Sequence, residues 1–286
     1  MTDDTKPLQP LPATAPSAPK EAAPKFQDTA NAARALLNTA AQQEFLRYEF
    51  KYILPKGLRD EIERELGHFI QLDPFVAKSP GRQYFVRSLY FDDPEYTNYY
   101  DKVEGVKVRT KFRLRTYDRV PTLNSKIFLE LKGRYSQRVF KRRIGLERGE
   151  EQKFEVGEQQ VAEKILHCIP SGSLRERFEY ELKRKKLEPV LLIEYMRRPY
   201  VSRFSQDFRL TFDDTLSATK TQSMFPEAGA HRRIFLPGYT VMEVKFANQI
   251  PPWFHRVVQN FELKRVPLSK ICRGMETWGM VRNPDD

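Results

Sequence analysis

Short segments in which apolar and polar residues alternate predict most of the secondary structure of this chain. Eight segments have the period of two that is typical of strands with one buried face. They span residues 46–54, 83–91, 106–117, 126–132, 138–146, 190–198, 207–213 and 239–246. Helical patterns fall between or after them, at residues 57–70, 94–102, 159–168, 173–186, 252–263 and 269–280. We therefore expect an α+β protein, and the hairpin-like spacing of the middle strands favours antiparallel pairing.

The N-terminal segment differs in composition from the rest of the chain. Residues 1–25 hold six of the 20 prolines among Ala, Thr and Ser, which predicts a disordered tail. Residues 28–44 have the pattern of a short Ala-rich helix. Because no second linker and no internal repeat follows, we expect a tail with a short helix over residues 1–45 and one folded domain over residues 46–280.

Cations alternate with apolar residues along the segment 106–117. The odd positions are Lys107, Arg109, Lys111, Arg113 and Arg115, while the even ones are Val, Thr, Phe or Leu. Four more predicted strands sort their residues in the same way. Their charged or polar positions are Arg47, Glu49 and Lys51; Lys126, Glu130 and Lys132; Arg209, Thr211 and Asp213; and Glu243 and Lys245.

For a single strand, the simplest interpretation of this pattern is a charged face in contact with solvent. Five strands together weaken that interpretation, because this face concentrates Lys and Arg with a few Glu. Cations two residues apart on a strand stand about 6.6 Å from each other, and at an effective dielectric of about 20 they repel by roughly 2 to 3 kcal/mol. The pattern therefore indicates a polyanionic ligand.

Eight strands can close into a barrel, with amphipathic helices covering the apolar face. The charged face would then line the lumen, which would have to hold water, metal and an anionic ligand. Carboxylates prefer hard divalent cations such as Mg²⁺ or Mn²⁺, while Lys and Arg bind phosphate oxygens. The expected fold is thus an eight-stranded antiparallel β-barrel tunnel with a basic lumen and surrounding α-helices, suited to phosphate chains with metal.

Composition and charge argue against a membrane-spanning protein, a secreted disulfide-rich protein and a nucleic-acid-binding protein. The chain carries a formal charge of +11, and residues 1–40 contain as many acids as cations, so the excess belongs to the folded part. No run approaches the roughly 18 apolar residues of a membrane span, and no secretion signal is evident. Two cysteines, Cys168 and Cys272, cannot form a disulfide framework, so a reducing cytoplasm is the expected localisation. Although the pI is about 9.5, no nucleic-acid-binding motif is present, and we expect no nucleic acid partner.

At these residues the sequence resembles the polyphosphate polymerase domain of the vacuolar transporter chaperone (VTC) family, a branch of the triphosphate tunnel metalloenzymes. The resemblance covers roughly residues 46–276, and its motifs occur in the same order as in the family. They are RYEFKY (47–52), SLYFDD (88–93), KFRLRTY (111–117), LELK (129–132), KRR (141–143), YMRRPY (195–200), RLTFDD (209–214), MEVK (242–245) and SK (269–270).

The resemblance implies a tunnel whose basic walls bind a nucleoside triphosphate and the growing polyphosphate, with Mn²⁺ or Mg²⁺ bridging the substrate and a wall carboxylate. The residues that resemble the catalytic phosphate ligands are Lys51, Arg113, Arg115, Lys132, Arg197, Arg209 and Lys270. Further phosphate-binding candidates are Lys141, Arg143, Arg109 and Lys111. Glu243 resembles the metal ligand; Glu130 and Glu49 are second choices that could instead position Lys132 and Lys51 through local ion pairs. Lys270, after Ser269 as helix N-cap, is expected at a tunnel mouth.

The activity that the resemblance implies is a metal-dependent phosphotransferase, a polyphosphate polymerase that transfers the γ-phosphate of a nucleoside triphosphate, expected to be ATP, to a polyphosphate chain. Arg47 replaces the first acid of the Glu-x-Glu-x-Lys strand of triphosphatase branches, which favours transfer over hydrolysis. Two alternatives stay open: a tunnel-fold triphosphatase acting on tripolyphosphate or nucleoside triphosphates, and a non-catalytic protein that binds polyphosphate or inositol phosphates. A membrane or regulatory protein partner is also open, and the sequence does not indicate an oligomeric state.

Overall fold

Ten β-strands of the computed structural model belong to one antiparallel sheet. The structure describes residues 47–77, 79–147 and 154–282, so the predicted tail and the helix at 28–44 lie outside the described residues. The strands are β1 (Arg47–Pro55), β2 (Ile70–Leu72), β3 (Tyr84–Asp92), β4 (Val108–Thr116), β5 (Phe128–Tyr135), β6 (Arg138–Gly145), β7 (Glu188–Ser202), β8 (Arg209–Thr219), β9 (Arg233–Ile234) and β10 (Tyr239–Phe246). The α-helices are α1 (Lys56–Leu66), α2 (Thr97–Val103), α3 (Ala162–His167), α4 (Ser173–Lys185), α5 (Pro252–Asn260) and α6 (Lys270–Trp278).

Eight of these strands close into a barrel. Their order is β7, β3, β4, β5, β6, β1, β10 and β8, and pairing between β7 and β8 completes the ring. The predicted α+β fold with an eight-stranded antiparallel barrel is therefore confirmed. The two short strands lie outside this ring: β2 pairs with the last residues of β7, and β9 pairs with the last part of β8.

The apolar sides of the strands face outward, where the helices cover them. Phe112 and Leu129 pack with the α4 residue Phe178 in one cluster of buried side chains. A second cluster joins β1, β8 and β10 to α1 and α5, and a third joins β7 and β8 to α2 and α6. Because burying a large apolar side chain contributes about 1.5 to 3 kcal/mol, this outer core makes the charged side of each strand the inner side.

Helix α6 packs unusually close to the barrel, because it carries a glycine where it crosses β7. A Cβ atom at Gly274 would lie 2.7 Å from Cδ1 of Ile193 and 2.9 Å from Cδ2 of Leu191. Close packing of this helix brings its first residue, Lys270, against the barrel wall, where only 9% of the residue is exposed.

The step from β3 to α2 is stabilised by two adjacent carboxylates. Asp93 Oδ1 accepts the backbone N–H of Thr97 at 2.8 Å, and Asp92 Oδ1 accepts that of Asn98 at 3.0 Å. Both acids are buried. Among the described residues, no helix is long and apolar enough to cross a membrane.

Candidate active site in the barrel lumen

The barrel encloses a cavity of about 820 Å³. Of the described residues, fifteen Lys and Arg line it, against the three carboxylates of Glu49, Asp73 and Glu243. Most of the candidates from the sequence lie on its wall, namely Lys51, Arg109, Lys111, Arg113, Arg115, Lys132, Lys141, Arg197, Arg209, Lys270, Glu49 and Glu243. The period-two pattern therefore brings the strand residues of this set together on one inner surface, and the packing of α6 adds Lys270.

Two candidates do not line this cavity. Glu130 is fully buried behind the basic side chains, and Arg143 borders a second, smaller cavity. Both belong to the same network, because Arg143 Nε lies 3.5 Å from Glu130 Oε1.

Glu130 organises the largest group of cations in the wall. It stands opposite Arg113 on β4 and Arg143 on β6, and its Oε2 accepts the Arg113 Nε–H at 2.8 Å. Lys141 Nζ lies 2.6 Å from Oε1, and Arg115 Nη1 lies 3.7 Å from Oε2. Burial raises the pKa of Glu130, but Arg113, Arg115 and Lys141 outweigh burial and hold it far below its usual range. This carboxylate therefore stays ionised and fixes the surrounding cations, and its role as a metal ligand stays a prediction.

Lys141 lines the lumen, and its charge changes when the pH passes through the neutral range. Burial, together with the positive charges of Arg113 and Arg115, lowers the pKa of Lys141 to about 7, although Glu130 acts in the opposite direction. Its ammonium group is therefore easily neutralised when no further anion is nearby.

Glu49 on β1 has a similar organising role and reaches Lys132 on β5, the strand that carries Glu130. Its Oε1 lies 2.9 Å from Lys51 Nζ and 2.8 Å from Lys132 Nζ. Burial and the nearby Glu243 raise the pKa of Glu49, but Lys132, Lys51 and Lys245 outweigh them and hold it well below its usual range. The ion pair that the sequence offered for Glu49, with Lys51, is present, whereas Lys132, expected beside Glu130, pairs with Glu49 instead.

The third acidic position is formed by Glu243 and Asp213 on neighbouring strands. Glu243 Oε1 lies 2.5 Å from Lys245 Nζ, and its Oε2 lies 3.8 Å from Lys270 Nζ. Asp213 accepts two hydrogen bonds from Arg197 and lies 2.7 Å from Lys270 Nζ. Burial raises the pKa of both carboxyls, but the cations around them hold each below its usual range.

Asp213 was not among the site candidates, although it shares the parity of Arg209 and Thr211 on its strand. Its importance depends on the pairing of β8 with β7, which places it directly opposite Arg197. Lys270, expected at a mouth, is instead buried in the wall beside Asp213. Ser269 occupies the N-cap position of α6, but its side chain makes no capping hydrogen bond.

Tyrosines also line the lumen, although none of them is among the candidates from the sequence. Tyr90 and Tyr195 accept hydrogen bonds from Arg113 at 2.7 Å and from Arg115 at 3.1 Å. Lys270 Nζ also lies 5.1 Å from the centre of the Tyr195 ring. Their position two residues from other inner side chains was the available signal, but aromatic residues on strands usually belong to the core.

The oxygen donors in the lumen show whether it could bind the divalent cation that the resemblance implies. Glu49, Asp213 and Glu243 lie on three neighbouring strands, and the buried Thr211 hydroxyl beside Glu243 has no hydrogen-bond partner in the described part of the chain. Within the same residues, no three His, Cys, Asp or Glu side chains form a group that could hold a metal alone. The donor set therefore fits a hard cation bound through Glu243 that takes further oxygen ligands from phosphate and water.

Comparisons with known proteins give one family match and several solved structures of low sequence identity. The family model described as VTC domain matches residues 46–279. Among solved structures, a Bacillus halodurans protein provisionally assigned as an adenylate cyclase is 11% identical, with a TM-score of 0.44 over 79% of this chain and 94% of that chain. The PH1819 protein of Pyrococcus horikoshii is 13% identical, with a TM-score of 0.39 over 80% and 98% of the two chains.

A viral enzyme has a similar structure over much of its length. The Mimivirus capping enzyme triphosphatase is 10% identical, with a TM-score of 0.33 over 83% of this chain and 96% of its own. No curated protein matches the sequence significantly. At these sequence identities and TM-scores, the three structures say nothing about the activity of this chain. The family match is the finding that assigns the chain to a family.

Proposed function

The chain belongs to the VTC domain family, and on that premise we propose that it is a polyphosphate polymerase that transfers the γ-phosphate of ATP to a polyphosphate chain with Mn²⁺ or Mg²⁺. The observation that carries this proposal is the enclosed lumen in which fifteen cations face three carboxylates. Such an excess of positive charge around one cavity, with Arg113, Arg115, Arg197 and Lys270 buried, is costly unless a polyanion occupies the lumen. A triphosphate and a polyphosphate chain have the required charge.

Direct transfer between phosphates suits this set of residues. The proposed transfer passes the phosphoryl group directly from one phosphate to the other and forms no covalent intermediate on a side chain. Phosphoryl transfer needs positioning and charge neutralisation above all, and Lys and Arg supply both.

The carboxylates behind the cations hold them in place before the substrate binds. Arg113 is fixed by Glu130, Lys132 by Glu49, and Arg197 by Asp213. In the proposed reaction, a terminal oxygen of the bound chain forms a bond to the γ-phosphorus while the bond to the β–γ bridging oxygen breaks. The fixed cations neutralise the charge that develops on the phosphoryl oxygens and on the leaving diphosphate.

Glu243, with Thr211 beside it, would hold the divalent cation. When bound, that cation would neutralise phosphate oxygens and orient them for in-line displacement. Lys245 and Lys270 would then exchange part of their contact with Glu243 for contact with phosphate.

The direct test is to incubate the purified protein with ATP and Mn²⁺ and to separate the products on a gel that resolves polyphosphate. We expect long chains from the natural protein and none from Lys132→Met. A matched control is Lys183→Met, which removes an exposed lysine of α4 and should leave synthesis unchanged. Orthophosphate as the sole product would contradict the proposal.

A triphosphatase of the same fold is the second candidate, and Glu49 beside Glu243 on the neighbouring strand favours it. Arg47 lines the lumen two residues before Glu49, where a second acid would complete an acidic pair. Arg47→Glu should therefore increase orthophosphate release relative to chain growth. If the natural protein already releases orthophosphate without making chains, hydrolysis is its activity.

A further inference from the structure

Helix α6 packs on the outside of the barrel, yet its first turn reaches two cations of the lumen. Lys270, its first residue, lines the cavity and places its Nζ 2.7 Å from Asp213 Oδ2. Cys272, two residues later, accepts a hydrogen bond at its Sγ from the Nζ of Lys111 at 3.2 Å. Lys111 belongs to β4 and lines the same cavity. One helix therefore contacts a cation on each of two sides.

Lys111 differs from five other lysines of the lumen in the group that holds it. Each of those five contacts a carboxylate: Lys51 and Lys132 contact Glu49, Lys141 contacts Glu130, Lys245 contacts Glu243, and Lys270 contacts Asp213. Among the described residues, Lys111 forms no ion pair, and its hydrogen-bond partner is the Cys272 sulfur. Because a thiol sulfur is a weak acceptor, it holds the ammonium group in place and leaves its charge available to phosphate.

Two acids lie near Lys111 without pairing with it. Burial raises the pKa of Asp92 to about 6 and also raises that of Asp101, while the charge of Lys111 acts in the opposite direction on both. Asp92 Oδ1 already accepts the backbone N–H groups of Asp93 and Asn98, both at 3.0 Å. In the described part of the chain, Cys272 is therefore the group that fixes where the Lys111 ammonium lies.

The later turns of α6 are tied to neighbouring elements. Trp278 Nε1 donates a hydrogen bond to the backbone oxygen of Ala218 on β8 at 2.9 Å. Tyr99 of α2 donates its hydroxyl to Glu276 at 3.2 Å. Cys272 itself is only 1% exposed. The helix therefore has one defined place on the barrel, and its first turn is fixed with it.

Gly274 determines how closely α6 approaches the barrel. It lies one turn after Lys270 and therefore on the same face of the helix. A Cβ atom there would lie 2.7 Å from Ile193 Cδ1 and 3.1 Å from Ala218 Cβ. Glycine is a weaker helix former than alanine, so the close approach is the physical reason for a residue without a side chain here. An alanine would push the helix, with Lys270 and Cys272, away from the lumen.

We propose that α6 is a positioning element of the phosphate site: Gly274 lets the helix pack closely on β7, and the helix then holds Lys270 directly and Lys111 through the Cys272 sulfur. This inference rests on the proposed function, because it gives the helix a part in binding the phosphates of that reaction. Gly274 and Cys272 are positioning residues, since they act through the two lysines and do not touch the substrate.

The first test measures tripolyphosphate affinity in the presence of a chelator. Cys272→Ala should weaken binding by about three- to tenfold, because Lys111 loses the group that holds it. Cys272→Ser supplies a hydroxyl acceptor of similar size and should bind within about twofold of the natural protein. The matched control is Cys168→Ala, which removes the other buried cysteine, on the C-terminal side of α3, and should leave the affinity unchanged. Natural affinity in Cys272→Ala, or an equal loss in Cys272→Ser, would overturn the inference.

A double-mutant cycle separates positioning of Lys111 from a general loss of structure. In a Lys111→Met background, Cys272→Ala should change the tripolyphosphate affinity by less than about twofold, because the cation through which Cys272 acts is gone. A purely structural role of the thiol would weaken binding equally in both backgrounds, and that result would sink the inference.

The contribution of Gly274 is tested with a compensating substitution. Gly274→Ala should weaken tripolyphosphate binding at least about fivefold, because the added methyl group overpacks the contact with β7. Ile193→Val removes the Cδ1 atom nearest to that methyl group, so the double variant should bind at least about threefold more tightly than Gly274→Ala. Ile193→Val alone is the matched control and should bind within about twofold of the natural protein.

A loss of binding that Ile193→Val does not relieve, or no loss in Gly274→Ala, would contradict the role of Gly274. Should Gly274→Ala fail to fold, the cycle with Cys272 and Lys111 decides the inference alone. The proposed function is tested separately, because binding in a chelator does not require synthesis. If no polyphosphate is made but the variants bind as expected, the polymerase proposal fails and the inference stands. If polyphosphate is made and Cys272→Ala binds normally, the polymerase proposal stands and the inference fails.

Discussion

Arg197 and Asp213 face each other across the β7–β8 pair, and the Arg197 guanidinium donates to both carboxylate oxygens at 2.6 and 2.7 Å. Asp213 also lies 2.7 Å from Lys270, so one buried carboxylate compensates two cations that come from different parts of the fold. The pair closes the ring of strands and, at the same place, arranges the wall of the lumen.

Asp213→Asn should therefore destabilise the unliganded protein. Breaking a buried ion pair by removing one partner costs about 3 to 5 kcal/mol, because the remaining charge is left uncompensated. Urea unfolding with and without tripolyphosphate measures the effect, and the ligand should stabilise the variant more than the natural protein. Asp60→Asn, which removes an exposed acid, is the control and should change the free energy of unfolding by less than about 1 kcal/mol. Equal effects of the two substitutions would contradict this account.

Glu243→Gln should impair the response to metal without impairing binding of phosphate itself. We expect the Mn²⁺ concentration for half-maximal chain synthesis to rise at least about tenfold, which corresponds to a loss of about 1.4 kcal/mol. In the presence of a chelator, tripolyphosphate should bind as tightly as before or more tightly, because an anion has left the lumen. Weaker binding in the chelator would show that Glu243 acts only by arranging Lys245 and Lys270.

The charge of Lys141 predicts a pH dependence of phosphate binding. Because burial and neighbouring arginines lower the pKa of Lys141 to about 7, the residue loses its charge as the pH rises through that value. Tripolyphosphate affinity should fall between pH 6 and 8, by up to about tenfold. Lys141→Arg stays charged, so its affinity should fall less over the same range. Tripolyphosphate itself also titrates in this range, but that effect is the same for both proteins. If affinity falls equally with pH in the natural protein and in Lys141→Arg, the prediction is wrong.

Asp92 predicts a pH dependence of stability with a defined sign. Burial raises the pKa of Asp92 from 3.8 to about 6, although the N–H groups of Asn98 and Asp93 oppose the change. The folded state therefore holds more protons than the unfolded state between about pH 4 and 6, and stability falls as the pH rises through this range. Asp92→Asn keeps an oxygen for the same N–H groups and should gain about 2 to 3 kcal/mol above pH 6 and nothing below pH 4. Urea unfolding across this range measures the difference, and an equal gain at every pH would refute it.

The sequence predicts the outline of the barrel because two patterns agree. The strands alternate apolar and charged residues with a period of two, and the helical patterns between them supply the elements that cover the apolar faces. All eight predicted barrel strands and the six helices predicted after residue 56 are present, most of them within a few residues of their expected bounds, while β8 continues to Thr219, six residues beyond its expected end. A period of two sorts residues between two faces, and the closed sheet makes one face the lumen. The short strands β2 and β9 were missed, since two or three residues cannot establish a period.

The alternation along the strands does not predict which charged side chains form ion pairs with one another. Glu130 meets Arg113 and Arg143 only because of the register of β4, β5 and β6, and Asp213 meets Lys270 only because α6 packs on the barrel. Register depends on loops and on packing against other elements, which alternation along one strand does not encode.

The first and last strands of the barrel are direct neighbours, with Lys51 opposite Glu243. More than half of the chain must leave the ribosome between these two strands, so nascent chains hold the early strands without a completed ring. During that interval the rows of lysine and arginine have no shared interior, and no bound phosphate can draw them together. The ring can close only after β10 has been synthesised, so the complete basic lumen belongs to the finished chain and not to its early segments.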